Sequence, residues 1–122
     1  MNKSILVIED HEDNRRILHD LLSNAGYRVL EATSGEAGVT SAETYFPNLI
    51  LMDLRLPDID GYEATRRIKA KPKLAHIPVI AVTSYALSGD DAKAFKVGCN
   101  AYIAKPYSPR ALLATVKELL GD

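Results

Sequence analysis

Acidic side chains stand at the ends of two short apolar runs. Ile5 to Ile8 leads into Glu9 and Asp10, and Leu49 to Met52 leads into Asp53. Val79 to Val82 is followed by Thr83 and Ser84, and Tyr102 to Ala104 by Lys105 and Pro106. Runs that are apolar on consecutive positions read as parallel strands covered on both faces. In open α/β sheets, functional groups collect beyond the carboxyl ends of the strands. With the runs that begin at Ile5, Leu49 and Val79 as neighbours, Glu9, Asp10 and Asp53 converge on one pocket. Carboxylates crowded in this way repel each other, and a divalent cation or a lysine can relieve them. Oxygen donors suit Mg²⁺, which binds through one or two carboxylates and keeps several waters. Zinc would want His or Cys ligands, and no such cluster is present. Lys105 supplies a mobile point charge able to reach the Asp53 carboxylate, and the Thr83 hydroxyl can donate to a phosphoryl oxygen.

These residues need a scaffold, and the rest of the chain describes one. A fifth apolar run, Val29 with Leu30, is the shortest and belongs near a sheet edge. Between the runs lie segments of helical periodicity. Ile17, Leu18, Leu21 and Leu22 form an apolar stripe, ended by Asn24-Ala25-Gly26. Asp60 and Glu63 have capping-box spacing at the start of the third helix. Ser88 with Asp91 marks the fourth, which Gly98 ends. Ser108-Pro109 is an N-cap with proline at the first helical position. Leu112, Leu113, Val116, Leu119 and Leu120 give the last helix its buried stripe. Strand and helix alternate, so the fold class is α/β with a parallel sheet and right-handed crossovers.

The quoted fragments resemble the CheY-like receiver family. They are Ile5-Leu6-Val7-Ile8-Glu9-Asp10, Leu51-Met52-Asp53-Leu54-Arg55-Leu56-Pro57, Asp60-Gly61, Val82-Thr83-Ser84 and Ala104-Lys105-Pro106. Leu74 to Thr83 looks most like stand-alone receivers of the DivK type. The likeness implies a flavodoxin-like doubly wound (βα)5 fold, its parallel sheet ordered 2-1-3-4-5, filling 1–122 as one receiver domain without an effector domain. It implies that Asp53 accepts a phosphoryl group in an Mg²⁺-dependent reaction. Asp10 and Asp53 would ligate Mg²⁺ directly, Glu9 mostly through water, and the Arg55 carbonyl would complete the set. Thr83 and Lys105 would bind the phosphoryl group, and the Lys105-Pro106 bond would be cis. Thr83 and Tyr102 would carry the switch; without the likeness, Tyr102 is an inert half-buried aromatic. Glu9 departs from the commoner Asp. Arg55 and Tyr85 stand two residues beyond Asp53 and Thr83, where they are expected to shield the phosphoryl group and slow its loss.

Composition bounds the rest. The chain has 122 residues, a net charge of −1 and a single cysteine, Cys99. A disulfide within the chain is excluded, and Cys99 reads as a buried apolar residue. Near-neutral charge offers no general attraction to nucleic acid or membrane. No secretory signal or membrane span is visible, so a cytoplasmic location is expected. The basic stretch Arg66, Arg67, Lys69, Lys71 and Lys73 reads as a solvated helix face and exit loop. His11 touches the pocket rim, His19 faces outward and His76 sits in a loop; none has metal-ligand spacing with another. The expected partners are a histidine kinase or histidine phosphotransfer domain and a regulated protein. Docking would use the first helix around Asn14, Arg15 and Leu18, together with Pro106 and Tyr107; Leu18 as buried core is an equal reading. The state is a monomer or a weak, phosphorylation-enhanced dimer. An output switch and a relay intermediate both remain open. A flavodoxin-like electron carrier is disfavoured by the acidic loop after the first strand, which would repel a flavin phosphate. An aspartyl phosphatase would want a second acid two residues after the nucleophile, where Arg55 stands.

Overall fold

The computed structural model describes residues 2–83 and 89–122. Strands β1 (Ser4–Ile8), β2 (Arg28–Ala32), β3 (Leu49–Asp53), β4 (Val79–Thr83) and β5 (Ala101–Ala104) alternate with helices α1 (Glu12–Asn24), α2 (Gly35–Tyr45), α3 (Gly61–Lys69), α4 (Asp90–Lys96) and α5 (Pro109–Leu120). All pairings are parallel, and the sheet runs β2-β1-β3-β4-β5. The chain reverses direction across the sheet at β1 and β3, so a crevice opens beyond their carboxyl ends.

Burial explains the apolar runs. Every residue of β3 and β4 is buried, while β2, at the edge, has only Ala32 fully covered. Alternate residues of the central strands feed two cores. Leu6, Ile8, Ile50, Met52, Val79 and Ala81 pack with Val39, Ala64 and Ile68 from α2 and α3. Ile5, Val7, Leu49, Leu51, Ile80 and Val82 pack with Leu18, Leu22, Leu112 and Val116 from α1 and α5. Each large side chain removed from water contributes about 1.5–3 kcal/mol of hydrophobic stabilisation.

The helix punctuation follows the sequence with two differences. Asp60 accepts from the Glu63 amide at 2.8 Å, and Ser108 from the Ala111 amide at 3.3 Å. Glu63 does not close its capping box, because Arg66 and Arg67 hold its carboxylate at 2.7 and 2.9 Å. Helix α4 begins at Asp90 after Gly89, whose φ of 89° needs a glycine; Ser88 lies outside the described residues. Ile17 is 58% exposed and does not belong to the α1 stripe. Cys99 is buried against Thr65. The basic stretch is largely paired: Arg67 reaches Glu36 at 2.7 Å, and the Lys69 ammonium donates to the Ile77 carbonyl at 2.7 Å. Among the described residues, no helix is long and apolar enough to cross a membrane.

Candidate functional site

Strand β1 delivers Glu9 and Asp10 to the crevice, and β3 delivers Asp53 from the neighbouring strand. Potential ligand atoms of Glu9, Asp10, His11 and Asp53 all lie within 4.8 Å of one another. Glu9 and Asp53 are buried, at 2% and 6% exposure. The Asp53 Oδ1 accepts from the Arg55 amide at 3.1 Å, and Glu9 Oε2 accepts from the His11 amide at 3.1 Å. Asp10 Oδ1 is buried and accepts no hydrogen bond from any described residue.

Lys105 enters from the end of β5, and the Lys105-Pro106 bond is cis. Its ammonium donates to Glu9 Oε1 at 3.0 Å. The cation therefore pairs with Glu9 and not with Asp53. The longer Glu9 side chain reaches it first, while an Asp53 oxygen is turned back onto its own loop. The Lys105 amide donates to the Thr83 carbonyl at 2.7 Å, extending the β4–β5 ladder by one bond. Thr83 itself is buried, and its side of the crevice opens into a cavity of about 370 Å³ lined by Arg55, Leu56, Asp60, Tyr62, Asp90 and Lys93, among others. Tyr102 is half-buried on β5, where it packs against the α2–α3 core.

The crowded acids shift one another. Burial, reinforced by the neighbouring Glu9 carboxylate, pushes the Asp53 carboxyl up to about 7, against the opposing pull of the Arg55 amide and the Lys105 charge. For Glu9, burial also pushes upward, but hydrogen bonds with Asp53, the His11 amide and Lys105 outweigh it and hold the group low. Burial and the neighbouring carboxylate thus both favour the protonated form of Asp53.

The supporting roles of two residues escaped the sequence reading. Arg15 donates to the Glu9 carbonyl at 3.1 Å while its Nε is held by Glu31 of β2 at 3.0 Å, which pins the acidic loop to the sheet edge. Gly61 opens α3 directly beneath Asp53: a Cβ there would overlap the Asp53 carbonyl oxygen and lie 2.7 Å from Leu54 Cα. An arginine one turn into a helix and a glycine after an N-cap aspartate are the only sequence signals either leaves. Of the docking residues, Leu18 is 2% exposed and belongs to the core, because its position on α1 faces Leu22 and the sheet; the apolar side chain facing solvent is Ile17. Ser84 and Tyr85 lie outside the described residues. His19 pairs with Glu31 at 2.7 Å on the α1 surface.

Comparison with known proteins is consistent along the whole chain. Residues 5–117 match the model of the response regulator receiver domain. The polar-differentiation response regulator DivK of Brucella ovis is 42% identical over 122 residues, covering all of this chain and 99% of its own. Among solved structures, the receiver domain of a sensor histidine kinase from Pseudomonas aeruginosa, with a magnesium ion coordinated in its active-site cleft, superposes with a TM-score of 0.92 at 38% identity over the full length of both chains. A CheY-like receiver domain protein from Methanospirillum hungatei gives a TM-score of 0.90 at 34% identity, covering 99% of this chain and 95% of its own.

Proposed function

Because the chain belongs to the response regulator receiver family, we propose that it takes a phosphoryl group from a histidine kinase or phosphotransfer domain onto Asp53, and switches partner binding through Thr83 and Tyr102. The observation that carries this reading is the cluster of Glu9, Asp10 and Asp53 at the strand ends, with Lys105 3.0 Å from Glu9.

The donor set fits Mg²⁺. Glu9, Asp10 and Asp53 offer carboxylate oxygens, one of them the orphaned and buried Asp10 Oδ1, and the Arg55 carbonyl stands two residues beyond Asp53. When bound there, the ion supplies positive charge that favours ionised Asp53 and offsets charge on the phosphoryl oxygens. The chain's own groups do the rest. The Arg55 amide fixes one Asp53 oxygen, which leaves the other to attack phosphorus. An O–P bond forms as the donor's N–P bond breaks, and the bonding pair leaves with the partner's imidazole. Lys105, on the rim of the acid cluster, swings from Glu9 to the arriving phosphoryl group. The buried Thr83 hydroxyl donates to a second phosphoryl oxygen. Chemistry of this kind is mainly positioning and charge neutralisation.

Movement of Thr83 leaves space behind it on β4, and Tyr102, which stands opposite Ala81 of β4 on the adjacent strand β5, turns inward to fill it. The α4–β5–α5 surface then presents a different face to a partner, a local charge event biasing a bistable surface. The donor docks on α1 beside Asn14, Arg15 and the exposed Ile17. Arg55, with Tyr85, slows attack by water on the phosphoryl group. The setting for all of this is the cytoplasm.

Intact mass after incubation with acetyl phosphate tests the central claim. A gain of one phosphoryl group, about 80 Da, is expected with Mg²⁺ and absent without it or in Asp53→Asn. A gain that persists in the variant would move the acceptor elsewhere and break the proposal.

A further inference from the structure

His11 stands at the mouth of the acid cluster, and none of the roles assigned above uses it. Its amide is bound to Glu9 Oε2 at 3.1 Å, so the loop folds the imidazole back over the carboxylates. The ring Nδ1 lies 3.2 Å from Asp10 Oδ1 and 3.5 Å from Glu9 Oε2. At 3.2 Å a donor and an acceptor ordinarily form a hydrogen bond, yet Asp10 Oδ1 accepts none. The nitrogen and the oxygen therefore lie side by side without pointing at each other.

That separation is the one adjacent ligands of a single ion adopt. Donor atoms about 2.1 Å from a six-coordinate ion stand about 3.0 Å apart when adjacent and about 4.2 Å apart when opposite. His11 Nδ1 comes close to this spacing with Asp10, at 3.2 Å, and lies 3.5 Å from Glu9, while small side-chain shifts would draw the cluster in from its 4.8 Å spread. The imidazole side chain is 69% exposed, so an ion can enter past it without unpacking anything. The usual helix-capping explanation for a residue at this position does not apply, because His11 precedes α1 but its side chain makes no cap hydrogen bond.

We infer that His11 adds a nitrogen ligand to the acidic pocket, so that the site prefers a divalent transition ion of the cobalt or nickel type over Mg²⁺. The inference rests on the metal site proposed above and concerns which ion it selects. Mg²⁺ takes oxygen donors and gains little from imidazole, whereas Co²⁺, Ni²⁺ and Zn²⁺ bind nitrogen well and outrank Mg²⁺ at mixed sites. The carboxylates would hold either ion, and His11 would discriminate between them.

Calorimetric titration of the metal-free protein with Mg²⁺ and with Co²⁺ tests this, with the visible absorption of bound Co²⁺ as a second readout. His11→Ala is expected to weaken Co²⁺ at least tenfold and to leave Mg²⁺ within twofold, and the Co²⁺ absorption bands should change with loss of the nitrogen. His19→Ala, which alters the histidine within α1, should leave both affinities unchanged. Equal effects of His11→Ala on the two ions, or none on Co²⁺, would overturn the inference while leaving the Mg²⁺ site intact. Failure of wild type to bind either ion, or binding undiminished in Asp10→Asn, would instead remove the site itself and the inference with it.

Discussion

Replacing Asp53 with asparagine removes an ionisable group from the buried acid cluster at almost constant shape, and its effect on stability should depend on pH in a defined way. In the metal-free fold the Asp53 carboxyl is raised from an ordinary 3.8 to about 7, first by burial and then by Glu9. A carboxyl raised in the folded state binds a proton that the unfolded chain releases. Its favourable contribution is complete below the unfolded value and disappears as pH climbs through the folded one. Wild type should therefore lose stability between about pH 4 and pH 7, whereas the asparagine variant lacks this loss. One pKa unit is about 1.4 kcal/mol, so the full shift is worth roughly 4 kcal/mol. Between pH 5 and pH 8 the variant should gain about 2–3 kcal/mol on wild type. For a domain of this length that is a widening of about 10 °C in melting temperature. The assay is thermal and urea unfolding in chelator-treated buffer across that range, followed by circular dichroism. A gap that stays constant with pH would refute the argument, since only a titrating group makes it grow. Excess Mg²⁺ should narrow the gap at pH 8 by stabilising wild type alone.

Other residues give separate checks. Lys105→Ala leaves Glu9, at 2% exposure, without its 3.0 Å partner, and should cost about 3 kcal/mol in urea unfolding at neutral pH. Adding Glu9→Gln to that variant should restore most of the loss. Gly61→Ala forces a methyl group into the Asp53 carbonyl, and should cost about 1–3 kcal/mol and slow the gain of phosphoryl mass. Arg15→Ala frees the Glu9 carbonyl and should weaken Mg²⁺ binding several-fold by titration, with a melting temperature close to wild type. Asp60→Ala removes the cap on the Glu63 amide and should cost about 1 kcal/mol without changing Mg²⁺ affinity.

The architecture was legible because burial leaves a simple mark. Strands covered on both faces must be apolar at every position, so β1, β3 and β4 announced themselves, and the thin Val29-Leu30 run revealed an edge. The convergence of Glu9, Asp10 and Asp53 followed from strand order and the rule about strand ends. What escaped depends on rotation and reach. A stripe of four apolar residues on α1 does not say that Ile17 turns outward while Leu18 turns in, because the helix buries a narrower arc than the pattern fills. A lysine near two acids does not say which it will hold; here the reach of Glu9 decided it. The anchoring by Arg15 depends on β2 placing Glu31 beside α1, a contact made across the edge pairing and invisible to local pattern.

The bond from the Lys105 amide to the Thr83 carbonyl, at 2.7 Å, ties the backbones beneath the two side chains proposed to contact the phosphoryl group. Neither segment can shift relative to the other without stretching it. In the proposed switch, a hydroxyl drawn toward a phosphoryl group and a lysine swung away from Glu9 would, through this bond, be coupled. A single amide proton then serves as a gauge of the pocket. Its exchange with solvent and its chemical shift in an isotope-labelled sample would record the state of the switch from inside, without a reporter group or a partner protein.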